Sequence, residues 1–209
     1  MTSATAHPAN VARRIQQLQI LTIAWMGAEA VLSLWAAWRA RSPALLAFGG
    51  DSAIELLSAA IVLWRFRNRK PGEQAERRAA RMTGILLFLL ALYVVAVSGA
   101  TLMGYAEPAP SYPGIGILIA ATLVMPWFGW QKRRLSAATG SAALRADAAE
   151  SMLCAYLSFI ALMGLSARAV LHISWADPLA AFAATPLILR EALEAWRGQA
   201  CGCEPAGMP

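Results

Sequence analysis

The chain has 209 residues, 58% of them hydrophobic and only 14% charged, with a mean hydropathy of +0.51. Soluble domains run nearer half apolar and a quarter charged, so this composition excludes an ordinary soluble enzyme or binding module and indicates a membrane protein. The net charge of +6 and pI near 9.8 do not indicate nucleic acid, because the basic residues stand in short gaps between apolar runs, where membrane topology places them.

Six runs approach the roughly 20 residues that a helix needs to cross the hydrocarbon core. They fall near 17–38, 43–65, 82–104, 113–131, 140–168 and 174–196. The first follows basic residues but is too long for a signal-peptide core, and no small-residue cleavage site follows it. It reads as a transmembrane helix. "RARSP" (39–43) breaks the chain before the second run, which contains "FGGDSAIELLSAAIVLW" (48–64). The one long charged stretch, "RFRNRKPGEQAERRAAR" (65–81), leads to the third run, and "YAEPAPSYPG" (105–114) separates the third from the fourth. "SWADP" (174–178) opens the sixth, with Asp177 suited to its N-cap and Pro178 to its first turn. Residues 1–16 and 197–209 are expected to be short cytoplasmic segments flanking one membrane domain, 17–196.

Lysine and arginine fix the expected orientation. With the N-terminus inside, the cytoplasmic segments hold fourteen of them: Arg13, Arg14, seven between Arg65 and Arg81, Lys132 to Arg134, Arg190 and Arg197. The opposite side holds three, Arg39, Arg41 and Arg168, and Arg145 falls inside the fifth run. This asymmetry places both termini in the cytoplasm. Trp25, Trp35, Trp38, Trp64, Trp127, Trp130, Trp175 and Trp196 mostly fall near the expected interfaces and read as belt anchors.

Acidic residues inside such runs are expensive and functional by default. Asp51 and Glu55 lie four apart, on one helix face. They have a counterpart: "SPALLAFGGDSAIE" (42–55) aligns with "SAALRADAAESMLC" (141–154) at a constant offset of 99 without a gap. Asp51 falls on Glu150, and Glu55 on Cys154. Weak internal repeats of this kind mark transporters whose sites form between the repeats near the bilayer midplane. At 1.5 Å per residue, Asp51 and Glu55 lie about 12 and 18 Å below the start of the second run, and Glu150 and Cys154 about 15 and 21 Å above the start of the fifth. Both pairs reach the middle of a core about 30 Å thick.

Three carboxylates and a thiol cannot all stay charged in an apolar space. A divalent cation reverses this, and pairs at i and i+4 from two helices suit a four-donor, roughly tetrahedral site. Filling it expels protons and emptying it takes them up. Asp51, Glu55, Glu150 and Cys154 are therefore the expected metal ligands. An Asp147/Ser151 pair is a rival to Glu150/Cys154, and Glu29 in the first run is a candidate for the proton or ion path. Intramembrane acids can also simply be protonated and hydrogen-bonded between helices. Cys154, in an apolar run, is a free thiol, as are Cys201 and Cys203 in the tail, which read as solvated. His7 and His172 lie outside the runs.

The two repeats, "SPALLAFGGDSAIELLS" and "SAALRADAAESMLCAYLS", resemble the metal-binding second and fifth helices of the cation diffusion facilitator family. Its members commonly show S-x-A-L-x-A-D-A-x-H-S-x-x-D, and "WADP" leading the sixth helix extends the resemblance over the whole six-helix domain. The likeness implies an all-α membrane protein with six transmembrane helices in the inner membrane. It implies proton-coupled efflux of divalent metals, most often zinc, by a homodimer, with the metal as substrate and no resident cofactor. It carries the ligand roles to Asp51 and Glu55, and to Glu150 and Cys154. Glu55, Glu150 and Cys154 depart from the family's usual donors, and no membrane histidine is present, so iron, cobalt, manganese and cadmium stand beside zinc. The cytoplasmic domain that usually follows the sixth helix has no counterpart in these 209 residues, so a dimer is expected to rest on membrane helices. Two alternatives remain open at this point: a non-transporting member that binds metal or a partner protein, and an organic-cation transporter.

Overall fold

The computed structural model describes the backbone of residues 8–67, 73–139 and 142–197, and the side chains of 13–57, 81–139, 145 and 147–197. All regular structure in these segments is helical: α1 (Pro8–Ala40), α2 (Pro43–Arg67), α3 (Glu73–Leu102), α4 (Tyr112–Thr139), α5 (Ala142–Leu171) and α6 (Ala176–Trp196). Among the described residues, four stretches are long and apolar enough to cross a bilayer: Arg13–Ala40, Arg81–Leu102, Tyr112–Thr139 and Asp147–Leu171. The helices coincide with the six expected runs, but α1, α3 and α4 continue well past the apolar stretch. Hydropathy marks the thickness of the hydrocarbon, whereas "EQAERRAAR" and "QKRRLSAAT" are polar sequences of good helix formers with no glycine or proline to stop them.

The surface is apolar and the interior is built from small residues. Val31, Leu89, Leu92, Leu123 and Met163 are more than half exposed, as expected of side chains that face lipid. The buried set is rich in alanine, including Ala36, Ala37, Ala44, Ala47, Ala121, Ala181 and Ala184. Small residues let membrane helices approach closely, which substitutes dispersion contacts for a hydrophobic driving force that lipid does not supply. At Gly84 of α3 an added Cβ would meet the Ala192 carbonyl oxygen at 2.8 Å and the Trp196 nitrogen at 2.9 Å. Helix α6 is thereby held backbone to backbone against α3.

One end of the bundle is tied together by polar contacts. Ser42 caps α2, its Oγ accepting the Leu45 N–H at 3.1 Å, and Ser111 caps α4 by accepting the Gly114 N–H at 3.2 Å. Asp177 does not cap its own helix: Trp175 is the cap residue and makes no side-chain cap bond. Instead Asp177 Oδ1 accepts the Ala44 N–H at 2.9 Å. A carboxylate in the first turn of α6 is favoured by that helix's dipole, and here it also satisfies an orphan donor at the start of α2. The N-termini of α2 and α6 therefore share one end of the molecule. The C-terminal part of α5 reaches the same end, where Arg168 Nε donates to the Pro108 carbonyl at 3.0 Å. Helix α2 packs against α1, α3, α5 and α6 and is the centre of the bundle.

The tryptophans follow the expected pattern in part. Trp35, Trp38, Trp175 and Trp196 are exposed near helix ends and Trp130 is exposed where the apolar part of α4 ends, and Arg39 and Arg134 lie over the Trp35 and Trp130 rings at 5.7 and 4.6 Å. Trp64, His7, Cys201 and Cys203 lie outside the residues whose side chains are described, as do the outermost parts of both terminal segments.

A candidate metal centre between three helices

The opening turns of α2 carry the site. Asp51 and Ser52 are fully buried because two glycines precede them. At Gly49 an added Cβ would meet Ser33 Oγ at 2.5 Å and the Leu34 backbone nitrogen at 3.0 Å. The absence of a side chain there lets α1 close on α2 and seals Asp51 from lipid. Glu55, one turn further on, lies on the same face and is partly buried.

Helix α5 supplies the third donor. Cys154 is buried and is not in a disulfide, and its Sγ lies 3.8 Å from Ser52 Oγ. The donor atoms of Asp51, Glu55 and Cys154 all fall within 4.8 Å of one another. Donors on a tetrahedral ion with bonds of about 2.0–2.3 Å sit roughly 3.5 Å apart, so from a separation of up to 4.8 Å the trio needs to close by about 1.3 Å at most. Sequence spacing predicted this convergence of the two repeats, and the antiparallel helices place it about 12 to 18 Å from the start of either helix.

Among the described residues no cation pairs with these acids. Asp51 Oδ1 and Oδ2 and Glu55 Oε1 are buried without a hydrogen-bond donor. Another acid, Glu191 of α6, is within electrostatic reach of both carboxyls. Two unit charges 4 Å apart interact by about 4 kcal/mol at the effective dielectric typical of proteins. Three such acids cannot all be ionised in one buried space without an external cation or bound protons.

Glu150 does not join the trio. It stands within electrostatic reach of Asp147, Glu191, Lys132 and Glu194, one layer out from the converging donors. The rival pair is otherwise engaged. Lys132, at the polar end of α4, is fully buried. Its Nζ donates to Asp147 Oδ1 at 2.7 Å and to Ser151 Oγ at 2.9 Å. Gln19 of α1 donates to the other Asp147 oxygen at 2.6 Å. Asp147 and Ser151 thus neutralise and orient a resident ammonium group, which joins α1, α4 and α5. Lys132, counted from sequence among the cytoplasmic loop charges, is instead an interior residue.

Glu29 of α1 is fully buried, and its oxygens lie beside the Trp25 indole without closing a hydrogen bond. It is within electrostatic reach of Asp51 and Cys154. His172 is exposed beyond α5, at a left-handed φ of 57°, far along that helix from Cys154.

Sequence reasoning missed Lys132 and Glu191. The repeat drew attention to the second and fifth helices alone, and Glu191 sits in "LREALEAW", which reads as a polar helix end. A signal existed: Glu191 follows a run of apolar residues and is four residues from Ala195 and Leu187, on the helix face that also carries buried Ala184 and Ile188.

Residues 20–198 match the family model described as the cation efflux transmembrane domain. Comparison with curated proteins returned no match. The matched segment spans all six helices, including the converging donors of α2 and α5. The chain belongs to the cation efflux family, a family of multi-pass membrane transporters of divalent metal cations.

Proposed function

We propose that this protein exports a divalent transition-metal ion from the cytoplasm in exchange for protons, with zinc the favoured ion and iron, cobalt, manganese and cadmium chemically admissible. The observation that carries the reading is the convergence of Asp51, Glu55 and Cys154 within 4.8 Å with acid oxygens that no donor among the described residues satisfies. Two hard oxygens and a soft sulfur suit ions of intermediate character better than magnesium or calcium. Glu150, one layer out, completes or feeds the donor set.

Metal and protons compete for the same atoms. Binding the ion displaces protons from the carboxyls and the thiol, and release lets them return. Glu29 extends the acidic zone onto α1 and serves the proton path. In this reading α2 and α6 also cross the membrane, giving six spans, and both termini face the cytoplasm, as the distribution of Lys and Arg supports; the protein resides in the inner membrane. The homodimer implied by the family resemblance forms through membrane helices.

A metal-competition panel on the purified full-length chain tests the site. Zinc, cadmium, cobalt and manganese should each bind with one ion per chain, and Asp51→Ala should remove that binding. Binding that survives both Asp51→Ala and Cys154→Ala would overturn the assignment.

A further inference from the structure

We propose that Lys132 gates the cytoplasmic side of the ion path: its ammonium closes the route along α5 to the metal centre, and Asp147 is the donor it uncovers on withdrawing. The proposal rests on the reading of Asp51, Glu55 and Cys154 as the metal centre and on the orientation with both termini in the cytoplasm. Asp147, Ser151 and Cys154 fall at i, i+4 and i+7, on one face of α5. Asp147 stands seven residues nearer the start of that helix than Cys154, about 10 Å along the axis. An ion that follows this face from the start of α5 meets Asp147 first, then Ser151, then Cys154. Lys132 Nζ occupies that line, donating to Asp147 Oδ1 at 2.7 Å and to Ser151 Oγ at 2.9 Å.

Close packing of α4 on α5 holds the ammonium there. At Gly129, one turn before Lys132, an added Cβ would meet Met152 Sδ at 3.0 Å and the Ala148 carbonyl oxygen at 3.3 Å. The bond from Thr122 Oγ1 to Ser158 Oγ, at 3.1 Å, continues the same antiparallel contact further along both helices. Lys132 is sealed between them with its side chain 1% exposed, whereas Asp147 is 27% exposed. Gln19 of α1 donates to the second Asp147 oxygen at 2.6 Å, so three helices meet in one knot. A structural ion pair accounts for the burial of the lysine. It does not account for a fixed positive charge on the helix face that leads to the acid and thiol donors, where that charge repels an arriving cation.

The same arrangement gives the gate a way to open. The partly exposed Asp147 carboxylate attracts a divalent ion, and the ion can replace the ammonium as partner of Asp147 and Ser151, both oxygen donors. One cation leaves the carboxylate as another arrives, so the buried acid is not left unpaired during the exchange. The described conformation is closed on the cytoplasmic side of this route.

The test uses the full-length chain with Cys201→Ser and Cys203→Ser, in which Cys154 is the single thiol. Membrane vesicles of each orientation are exposed to a membrane-impermeant trimethylammonium methanethiosulfonate, and modification of Cys154 is followed by mass spectrometry of the purified chain. Adding Lys132→Met with Asp147→Leu, which removes both charges, should speed modification from the cytoplasmic face by about tenfold or more and leave the rate from the opposite face unchanged. Gln19→Leu, which frees α1 alone, should raise the cytoplasmic rate severalfold and carries the test should the double variant fail to fold. An unchanged cytoplasmic rate in whichever variant folds overturns the proposal, as does an equal rise from both faces, which marks general loosening. Cd2+ should protect Cys154 of the parent chain from the reagent. Protection together with unchanged variant rates removes the gate and leaves the metal centre standing, whereas no protection at any Cd2+ concentration removes the metal-centre reading and the proposal with it.

Discussion

Asp51→Asn should stabilise the metal-free protein and abolish its stabilisation by metal. Asp51 is fully buried, neither of its oxygens meets a donor, and its neighbours Glu55 and Glu191 are acids. A buried polar group left unsatisfied costs about 1–3 kcal/mol. The asparagine amide has the same shape, carries no charge and can donate to either neighbouring carboxyl, which recovers a large part of that cost. For a chain of this size each kcal/mol moves the melting temperature by about 2–4 °C, so the variant should melt roughly 2–10 °C higher in EDTA. With metal at a hundred times its dissociation constant, the wild-type chain gains about 2.7 kcal/mol and the variant gains little, so the order closes or reverses. Thermal unfolding of the full-length chain in detergent, with EDTA and with Zn2+ or Mn2+, reads both effects. A variant less stable than wild type in EDTA would mean that Asp51 is satisfied by the protein, and an equal gain with metal would mean that it is not a ligand.

Lys132→Met breaks an ion pair in which the lysine is 1% and Asp147 27% exposed. Breaking a buried pair costs about 3–5 kcal/mol, and the partial exposure of Asp147 lowers the expectation to about 2–4 kcal/mol. Adding Asp147→Leu should restore at least half of the lost melting temperature, and additive losses would show the pair to be uncoupled. Cys154→Ser should weaken Cd2+ binding more than Mn2+ binding, because only the soft ion loses its preferred donor; equal losses, or none, in a titration of both ions would remove Cys154 from the metal's donors. Asp177→Ala should lower stability by about 0.5–2 kcal/mol through loss of the Ala44 N–H cap without changing metal affinity, and a changed affinity in the same titration would tie that end of the bundle to the site.

The six helices and the α2/α5 convergence were legible because each leaves a one-dimensional trace: apolar length for a span, and a 99-residue repeat for two helices that meet. The trace was weakest where a contact is made by residues that belong to no repeat. Lys132 follows "WFGWQ" and looks like the first charge of a loop, yet α4 continues to Thr139 and turns its ammonium inward to Asp147. Asp177 looks like the cap of its own helix, but the adjacency of two helix N-termini, which sequence spacing does not encode, gives it the start of α2 instead. Glu191 was hidden by its polar surroundings, since Arg190 and Glu194 do form an exposed pair at 2.8 Å. The register of the repeat also paired Glu55 with Cys154 and Asp51 with Glu150, and only three of these four converge. Side chains lean toward the N-terminus of their helix, so antiparallel partners at equal sequence positions need not meet at equal depth.

The central claim is that this cluster moves a metal ion against protons, and flux through proteoliposomes tests it most directly. Full-length chain reconstituted with a pH-sensitive and a metal-sensitive dye should take up Zn2+ while protons leave the lumen, at a rate that rises with an inward-acidic gradient and vanishes in Asp51→Ala. Metal that binds but does not cross, or crosses equally fast in Asp51→Ala or without proton movement, would contradict it.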